Sequence, residues 1–444
     1  VLRNAEQYLL RWLKRVDRSP LLIRGARQVG KTYLVEQFGK QHFPQLVIIN
    51  FELMPDCIDC FTSLDPVVII QSLQVVTGLT IDPKNTLLFL DEIQDCPNAI
   101  MALRYFKEKM PALAVIAAGS LLEFTLNDES FRMPVGRVEF LYLYPLSFKE
   151  FLLALGETHV VNWIESVTLG DALLSPIHEK CLKLVKEYCL VGGMPEVVAH
   201  YVKNRESLIE LQTLQSKLLQ GYRLDFGKYA KTKIQHGHLQ RVFNRLSDCI
   251  GQTVKYSTIN ADYPARDIKH ALSLLHLAGL CHFIYVSSGS GIPLGANINE
   301  KKFKLLYLDT GLYLRDLRID SLLFQQQELM LINSGILAEQ FVGQQLLTLC
   351  EEFESAQLYF WSREERNSQA EVDYLWQFQN KILPIEVKSS TEGRLRSLKM
   401  FCDTYHSDYG IRICAAPLSF ENNSLLSIPF YLVSEMNRLL KLIL

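Results

Sequence analysis

Apolar positions recur at threes and fours from about residue 3 to 17. Leu2, Tyr8, Leu9, Trp12, Leu13 and Val16 share one face there and predict a helix that Pro20 ends. The period then changes. Leu21-Leu22-Ile23 reads as a short buried strand, Leu46 to Phe51 as a second, Leu87-Leu88-Phe89-Leu90 as a third, and Leu113 to Ala118, entered after Pro111, as a fourth. Helical spacing fills the intervals at 32–39, 63–76 and 98–109. This alternation predicts a mostly parallel sheet covered by helices on both faces.

From about 145 the strand signal fades. Phe148 to Leu155, Ile177 to Val191 and Leu208 to Leu219 have helical spacing and suit a helical subdomain packed on the sheet. A polar turn region begins at 255, a helical run covers 267–279, and Leu280 to Val286 is an apolar strand before the loop Ser287-Ser288-Gly289-Ser290-Gly291. Helix, turn, helix and a ribbon with a flexible tip make the outline of a winged helix. The last portion mixes a helix at 334–349 with strands at 357–361, 371–378 and 382–388. The expected division is an α/β core at 1–144, a helical lid at 145–225, a winged-helix unit at 226–325 and a last α/β unit at 326–444.

Composition narrows the picture only slightly. The 444 residues are enough for several cores, and a formal net charge of -2 excludes a chain coated in basic charge. Nucleic-acid contact would need a local patch. One exists between Tyr222 and Asn244, where Arg223, Lys228, Lys231, Lys233 and Arg241 face a lone Asp225. The first twenty residues carry Arg3, Arg11, Lys14, Arg15 and Arg18, a pattern unlike a signal peptide, and the apolar runs are too short for a membrane span. Ten cysteines in this length do not read as a disulfide framework, and Cys57 and Cys60 have no second pair or nearby histidine to complete a zinc site. Together these features predict a cytoplasmic protein whose thiols stay reduced.

The strongest chemistry lies in Gly25-Ala26-Arg27-Gln28-Val29-Gly30-Lys31-Thr32, set between a strand and a helix. In that frame backbone N–H groups curl around a phosphate, and the helix N-terminus adds its partial positive charge. Lys31 is placed to reach the β- and γ-phosphates of ATP, and Thr32 to offer its hydroxyl to Mg²⁺. The strand at 87–90 delivers Asp91 and Glu92. Asp91 suits Mg²⁺ held through water, and Glu92 suits a base for the attacking water. The pair could instead cap the next helix. Ser120, after the strand at 113–118, is either a sensor of the γ-phosphate or a helix cap. Arg137 follows a loop containing Pro134 and Gly136 and could serve a neighbouring copy's phosphates; Arg132 competes for that role, and a surface ion pair is the plain alternative.

A second set lies near the C-terminus. Glu339 sits on a helix, Asp373 in Ala370-Glu371-Val372-Asp373-Tyr374-Leu375, and Glu386 and Lys388 share one face of the next strand. Glu339, Asp373 and Glu386 could hold a divalent metal, with Lys388 positioning a water or offsetting developing charge. A degenerate or purely binding domain would show the same residues.

In combination these motifs resemble a prokaryotic family of AAA-type ATPases. Its members couple an N-terminal P-loop domain to a C-terminal domain of unknown function, DUF4143. Besides the loop at 25–32, its marks are Phe89-Leu90-Asp91-Glu92-Ile93-Gln94, Ala118-Gly119-Ser120, Pro134-Val135-Gly136-Arg137-Val138 and Tyr144-Pro145-Leu146-Ser147-Phe148. Gly192-Gly193-Met194-Pro195, Tyr307-Leu308-Asp309-Thr310-Gly311-Leu312 and Ile385-Glu386-Val387-Lys388 complete it. The resemblance implies an AAA-like strand order, a helical lid, a winged helix and a restriction-endonuclease-like last domain similar to the PD-(D/E)xK nucleases. By that similarity Asp373, Glu386 and Lys388 match the nuclease motif, and Glu339 its helical acid. Two departures stand out. The presumed lid has no clear sensor arginine, and the basic charge is thin for a processive DNA machine.

Two readings follow. In one, Mg²⁺-dependent ATP turnover acts on DNA through the last two units. In the other, a nucleotide-dependent switch binds a protein partner and the nuclease-like unit is inactive. A trans-acting Arg137 would make the active form a homo-oligomer.

Overall fold

The computed structural model describes residues 3–126, 136–171, 174–205, 207–230, 232–259, 263–320, 335–365, 368–389 and 395–444. Its first sheet has five strands: β1 (Leu21–Arg24), β2 (Gln45–Asn50), β3 (Thr86–Asp91), β4 (Ala114–Ala118) and β5 (Glu139–Tyr142). They run in the order β2-β3-β4-β1-β5, every neighbour parallel. The four expected strands are all present. The fifth, with Leu141 its one buried residue, is too short and too polar to register as a strand in the sequence.

Strand alternation splits the core into two layers. Leu21, Ile23, Phe89 and Ile116 pack with Trp12, Val35 and Phe38, from the helices Ala5–Lys14 and Lys31–His42. Leu22, Leu88, Leu90 and Val115 point the other way, onto Ile69, Leu73, Ala99 and Leu103 of the helices Pro66–Thr77 and Pro97–Lys109. Such a strand reads as a continuous apolar run because both faces are covered. Every strand end that carries a polar residue therefore stands out against it.

A helical array follows. Phe148–Ala154 opens with a capping box in which Ser147 and Glu150 satisfy each other's backbone N–H groups. Ser175–Val191, Pro195–Lys203 and Leu208–Tyr229 succeed it. The last of these runs well past the expected end at 219 and absorbs the first part of the basic stretch.

Between 226 and 325 the structure has helices Lys233–Asn244, Tyr256–Ile259 and Ala265–Leu277, then β6 (Cys281–Ser287) and β7 (Ile298–Tyr307). The ribbon is not a free wing. β6 pairs in parallel with β8 (Leu358–Glu365), through Ile284 with Leu358 and Val286 with Phe360. β9 (Ser368–Phe378), β10 (Lys381–Val387), β11 (Gly410–Cys414), β12 (Ser419–Glu421) and β13 (Leu425–Pro429) extend one eight-stranded sheet, ordered β12-β13-β11-β10-β9-β8-β6-β7. The boundary expected near 325 thus separates segments that share a sheet. Nor is the glycine–serine tip loose: Gly289 lies against the Phe401 ring, and Ser287 Oγ donates to Leu294 O at 2.8 Å.

All ten cysteines are free, with Cys57 and Cys60 buried. Among the described residues no helix is long and apolar enough to cross a membrane.

Candidate functional site

The loop at 25–32 leaves the end of β1 and enters the helix Lys31–His42. Gly25 has φ +140°, and a Cβ there would strike the Leu143 carbonyl oxygen, so only glycine fits. Gly30, at φ +90°, forms the helix N-cap in the left-handed region. Two braces hold the loop from outside. Arg3 donates to Val29 O at 3.2 Å and to Tyr144 O at 2.6 Å. Arg27 turns away from the loop and pairs with Asp225 of the helix Leu208–Tyr229, while Tyr222 Oη donates to Arg27 O at 3.2 Å.

Lys31 is buried and its Nζ donates to Gly25 O at 2.9 Å and Ala26 O at 2.8 Å. Burial pushes its ammonium down to about 8 from the ordinary 10.5, with Glu92 and Asp91 offsetting part of the shift. The lysine must be charged to meet phosphate. ATP affinity is therefore expected to fall as pH rises through about 8, approaching tenfold per unit above it. Stability moves the other way. The folded chain holds fewer protons than the unfolded one between about 8 and 10.5, so that stretch of rising pH stabilises it. Calorimetric ATP titrations across this range check the first sign, and a profile as flat as that of Lys31→Arg would contradict it.

Thr32 and Asp91 meet directly, Thr32 Oγ1 donating to Asp91 Oδ2 at 3.0 Å, and Asn50 Nδ2 donates to the same oxygen at 3.2 Å. Burial and the neighbouring Glu92 raise the Asp91 carboxyl, and these hydrogen bonds offset part of that rise. A hydroxyl beside a carboxylate is a hard-oxygen pair of the kind Mg²⁺ accepts. Glu92 sits at φ +49°, a backbone conformation that non-glycine residues rarely adopt. Its Oε2 accepts from Gln94 Nε2 at 2.8 Å, Ser120 N at 3.1 Å and Ser120 Oγ at 3.0 Å. Burial opposes ionisation of Glu92, but these donors and Lys31 outweigh it and hold the carboxyl below its ordinary value. Ser120 lines the same site and holds Glu92 through both its backbone N–H and its hydroxyl.

Lys31, Thr32, Asp91, Glu92 and Ser120 line one cavity of about 510 Å³, closed on another side by Pro195 and Glu196 of the helix Pro195–Lys203. Pro195 packs against Gly30. Arg3, Pro195 and Asp225 carried no site signal in the sequence, apart from the motif at 192–195, which contains Pro195. Arg137 does not line this cavity. It is exposed and pairs with Glu108 at 3.1 Å on the helix Pro97–Lys109. Arg132, Pro134 and Val135 lie outside the described residues.

Residues 17–152 match the model of an AAA domain. The chain carries an AAA domain. Downstream of it, residues 182–322 match a domain of unknown function, DUF8612, and residues 334–431 match another, DUF4143. The AAA domain suggests nucleotide binding and hydrolysis. Comparison with curated proteins found no match. Among solved structures, a Walker-type ATPase of Pyrococcus abyssi is 14% identical with a TM-score of 0.44, covering 71% of this chain and 95% of its own. The Orc1 protein of Aeropyrum pernix in complex with DNA is 15% identical with a TM-score of 0.30, covering 72% and 94%. AMPPCP-bound DnaA from Aquifex aeolicus is 10% identical with a TM-score of 0.29, covering 63% and 92%.

The C-terminal residues are gathered too, but around a residue the sequence did not single out. Lys304 of β7 is buried, and its Nζ lies 3.3 Å from Glu339, 2.6 Å from Glu371 and 3.6 Å from Asp373. Asp373 Oδ2 accepts from Val387 N at 2.8 Å, and Lys388 pairs with Glu386 at 2.6 Å. Burial and Asp373 push Glu339 up to about 8, against the pull of Lys304. Burial and Asp373 likewise push Glu386 up to about 7, against Lys388. Two of the three acids expected to hold a metal, Glu339 and Asp373, thus have the Lys304 ammonium within 3.6 Å. Among the described residues no group of three or more His, Cys, Asp or Glu is placed to hold a metal ion. Lys304 shared a polar run with Lys301 and Lys302, and nothing in the sequence separated it from them.

Proposed function

We propose that the chain is a Mg²⁺-dependent ATPase working as a nucleotide-dependent switch toward a protein partner, its last domain nuclease-like in build but not cutting. The observation that carries the reading is the meeting of Lys31, Thr32, Asp91 and Glu92 in one cavity. Gly25 to Thr32 wrap the phosphates with backbone N–H groups, and Lys31 exchanges its carbonyl partners for phosphate oxygens. Thr32 and Asp91 would hold Mg²⁺, which would supply positive charge against the phosphates. Glu92, steadied by Ser120 and Gln94, takes the proton of the attacking water as its oxygen bonds to the γ-phosphorus. The bond from that phosphorus to the bridging oxygen breaks, and ADP leaves with the electron pair. Arg137, exposed on its own chain, serves the phosphates of a neighbouring copy.

Two observations favour the switch over action on DNA. Part of the basic stretch is paired within the chain: Arg223 with Asp316 at 3.0 Å and Lys228 with Glu52 at 3.6 Å, while Arg241 is hydrogen-bonded to the neutral Tyr263 and Lys231 lies outside the described residues. Lys304 is paired with Glu339 and Asp373, two of the acids that would hold the metal that cutting requires. ATP hydrolysis measured with and without double- and single-stranded DNA, while the DNA is followed for cleavage, separates the readings. Turnover unchanged by either DNA and no cleavage are expected. Several-fold stimulation, or metal-dependent cleavage abolished by Asp373→Ala, would restore the DNA reading.

A further inference from the structure

The strand order places β6 and β8 between β7 and β9, yet Lys304 of β7 reaches two carboxylates of β9. The helix Ile336–Leu349 makes this meeting possible. Gln340 accepts from Tyr307 N at 2.8 Å and donates back to Tyr307 O at 3.0 Å, which pins the end of β7 to the helix. Glu339, beside Gln340, then comes to Lys304 from the helix side, and Thr253 Oγ1 steadies Glu371 at 2.8 Å. The Lys304 side chain is 3% exposed and lies 5.4 Å from the Phe360 ring centroid, so water does not compete for its charge.

We infer that Lys304 is the resident cation of this carboxylate cluster, standing where a divalent metal would otherwise sit and tying the ribbon of β6 and β7 to the sheet. The inference deepens the non-cutting reading of the last domain and rests on it. A divalent ion draws carboxylate oxygens to about 2.0–2.6 Å, and it cannot share that space with an ammonium. Removing one partner of a buried ion pair leaves the others uncompensated. Loss of Lys304 therefore takes away the positive charge that Glu339, Glu371 and Asp373 share, and a divalent ion restores it. Glu386 Oε2, buried without a hydrogen-bond partner, becomes available to the same ion.

The test is Mn²⁺ titration of the nucleotide-free full chain by calorimetry, paired with thermal melting. The parent, Asp373→Asn, Lys304→Met and the Lys304→Met/Asp373→Asn double variant are compared. The parent and Asp373→Asn are expected to bind Mn²⁺ identically. Lys304→Met is expected to melt lower, to recover on adding Mn²⁺, and to bind one more Mn²⁺ per chain, which the double variant loses. A parent that loses a bound Mn²⁺ on Asp373→Asn overturns the inference, as does a folded Lys304→Met that gains none. Should Lys304→Met fail to fold, the parent and Asp373→Asn comparison decides alone. A parent that binds Mn²⁺ at the cluster without cutting DNA defeats the inference and leaves the non-cutting reading standing; one that cuts defeats both.

Discussion

Glu92→Gln is expected to lower steady-state ATP turnover by about 10²–10⁴-fold while leaving ATP affinity within a few-fold of the parent. The substitution keeps the shape of the side chain and an oxygen able to accept from Ser120 and Gln94, which now hold the carboxylate at 2.8–3.1 Å. It removes only the basicity. Phosphate release and nucleotide binding measured on the same preparation check both halves. Ser120→Ala should do less, since the Ser120 backbone N–H and Gln94 remain as donors. Turnover by Glu92→Gln equal to the parent's would move the base elsewhere and leave the left-handed strain at Glu92 without a functional account.

The largest expected effect on stability lies away from the nucleotide. Asp309→Ala should cost roughly 3–5 kcal/mol, read as a lowered denaturation midpoint. Asp309 is fully buried at the N-cap of the helix Thr310–Leu317. Its carboxylate accepts from Gly193 N at 2.5 Å, Leu312 N at 3.1 Å and Gln344 Nε2 at 3.2 Å. Truncation strands three buried donors at once, and each stranded donor costs about 1–3 kcal/mol. Close approaches also explain the paired glycines. A Cβ on Gly192 would strike the Asp309 carboxylate, and one on Gly193 would strike Leu146 O. Because Pro195 follows and packs on Gly30, this knot also sets one wall of the nucleotide cavity. Asp309→Asn should cost less than alanine but still destabilise, because one polar atom of the amide is a donor. A midpoint unchanged by Asp309→Ala would show that the knot is not what fixes these segments.

The parallel sheet was legible because its strands are buried on both faces and so read as unbroken apolar runs, as in Leu87 to Leu90. The loop at 25–32 and the Asp91–Glu92 pair were legible because their roles depend on spacing within one strand–turn–helix unit. What escaped depends on distant segments meeting. Nothing near Ser120 in the chain says that it will hold Glu92, and nothing near Arg27 points to Asp225. The ribbon of β6 and β7 shows the same limit. Its two strands are evident locally, but its edge-on pairing with β8 is set by a register between residues 284 and 358 that no local period encodes. Lys304 is the clearest case. Its place among three carboxylates from a helix and a strand beyond 335 could not be read from the acids alone.

The central claim is that nucleotide turnover runs through the site built on Lys31. The most direct measurement is phosphate release from Mg²⁺-ATP by the purified full chain and by Lys31→Ala. Turnover by the parent that Lys31→Ala abolishes is the predicted result. Equal rates in the two proteins would contradict it.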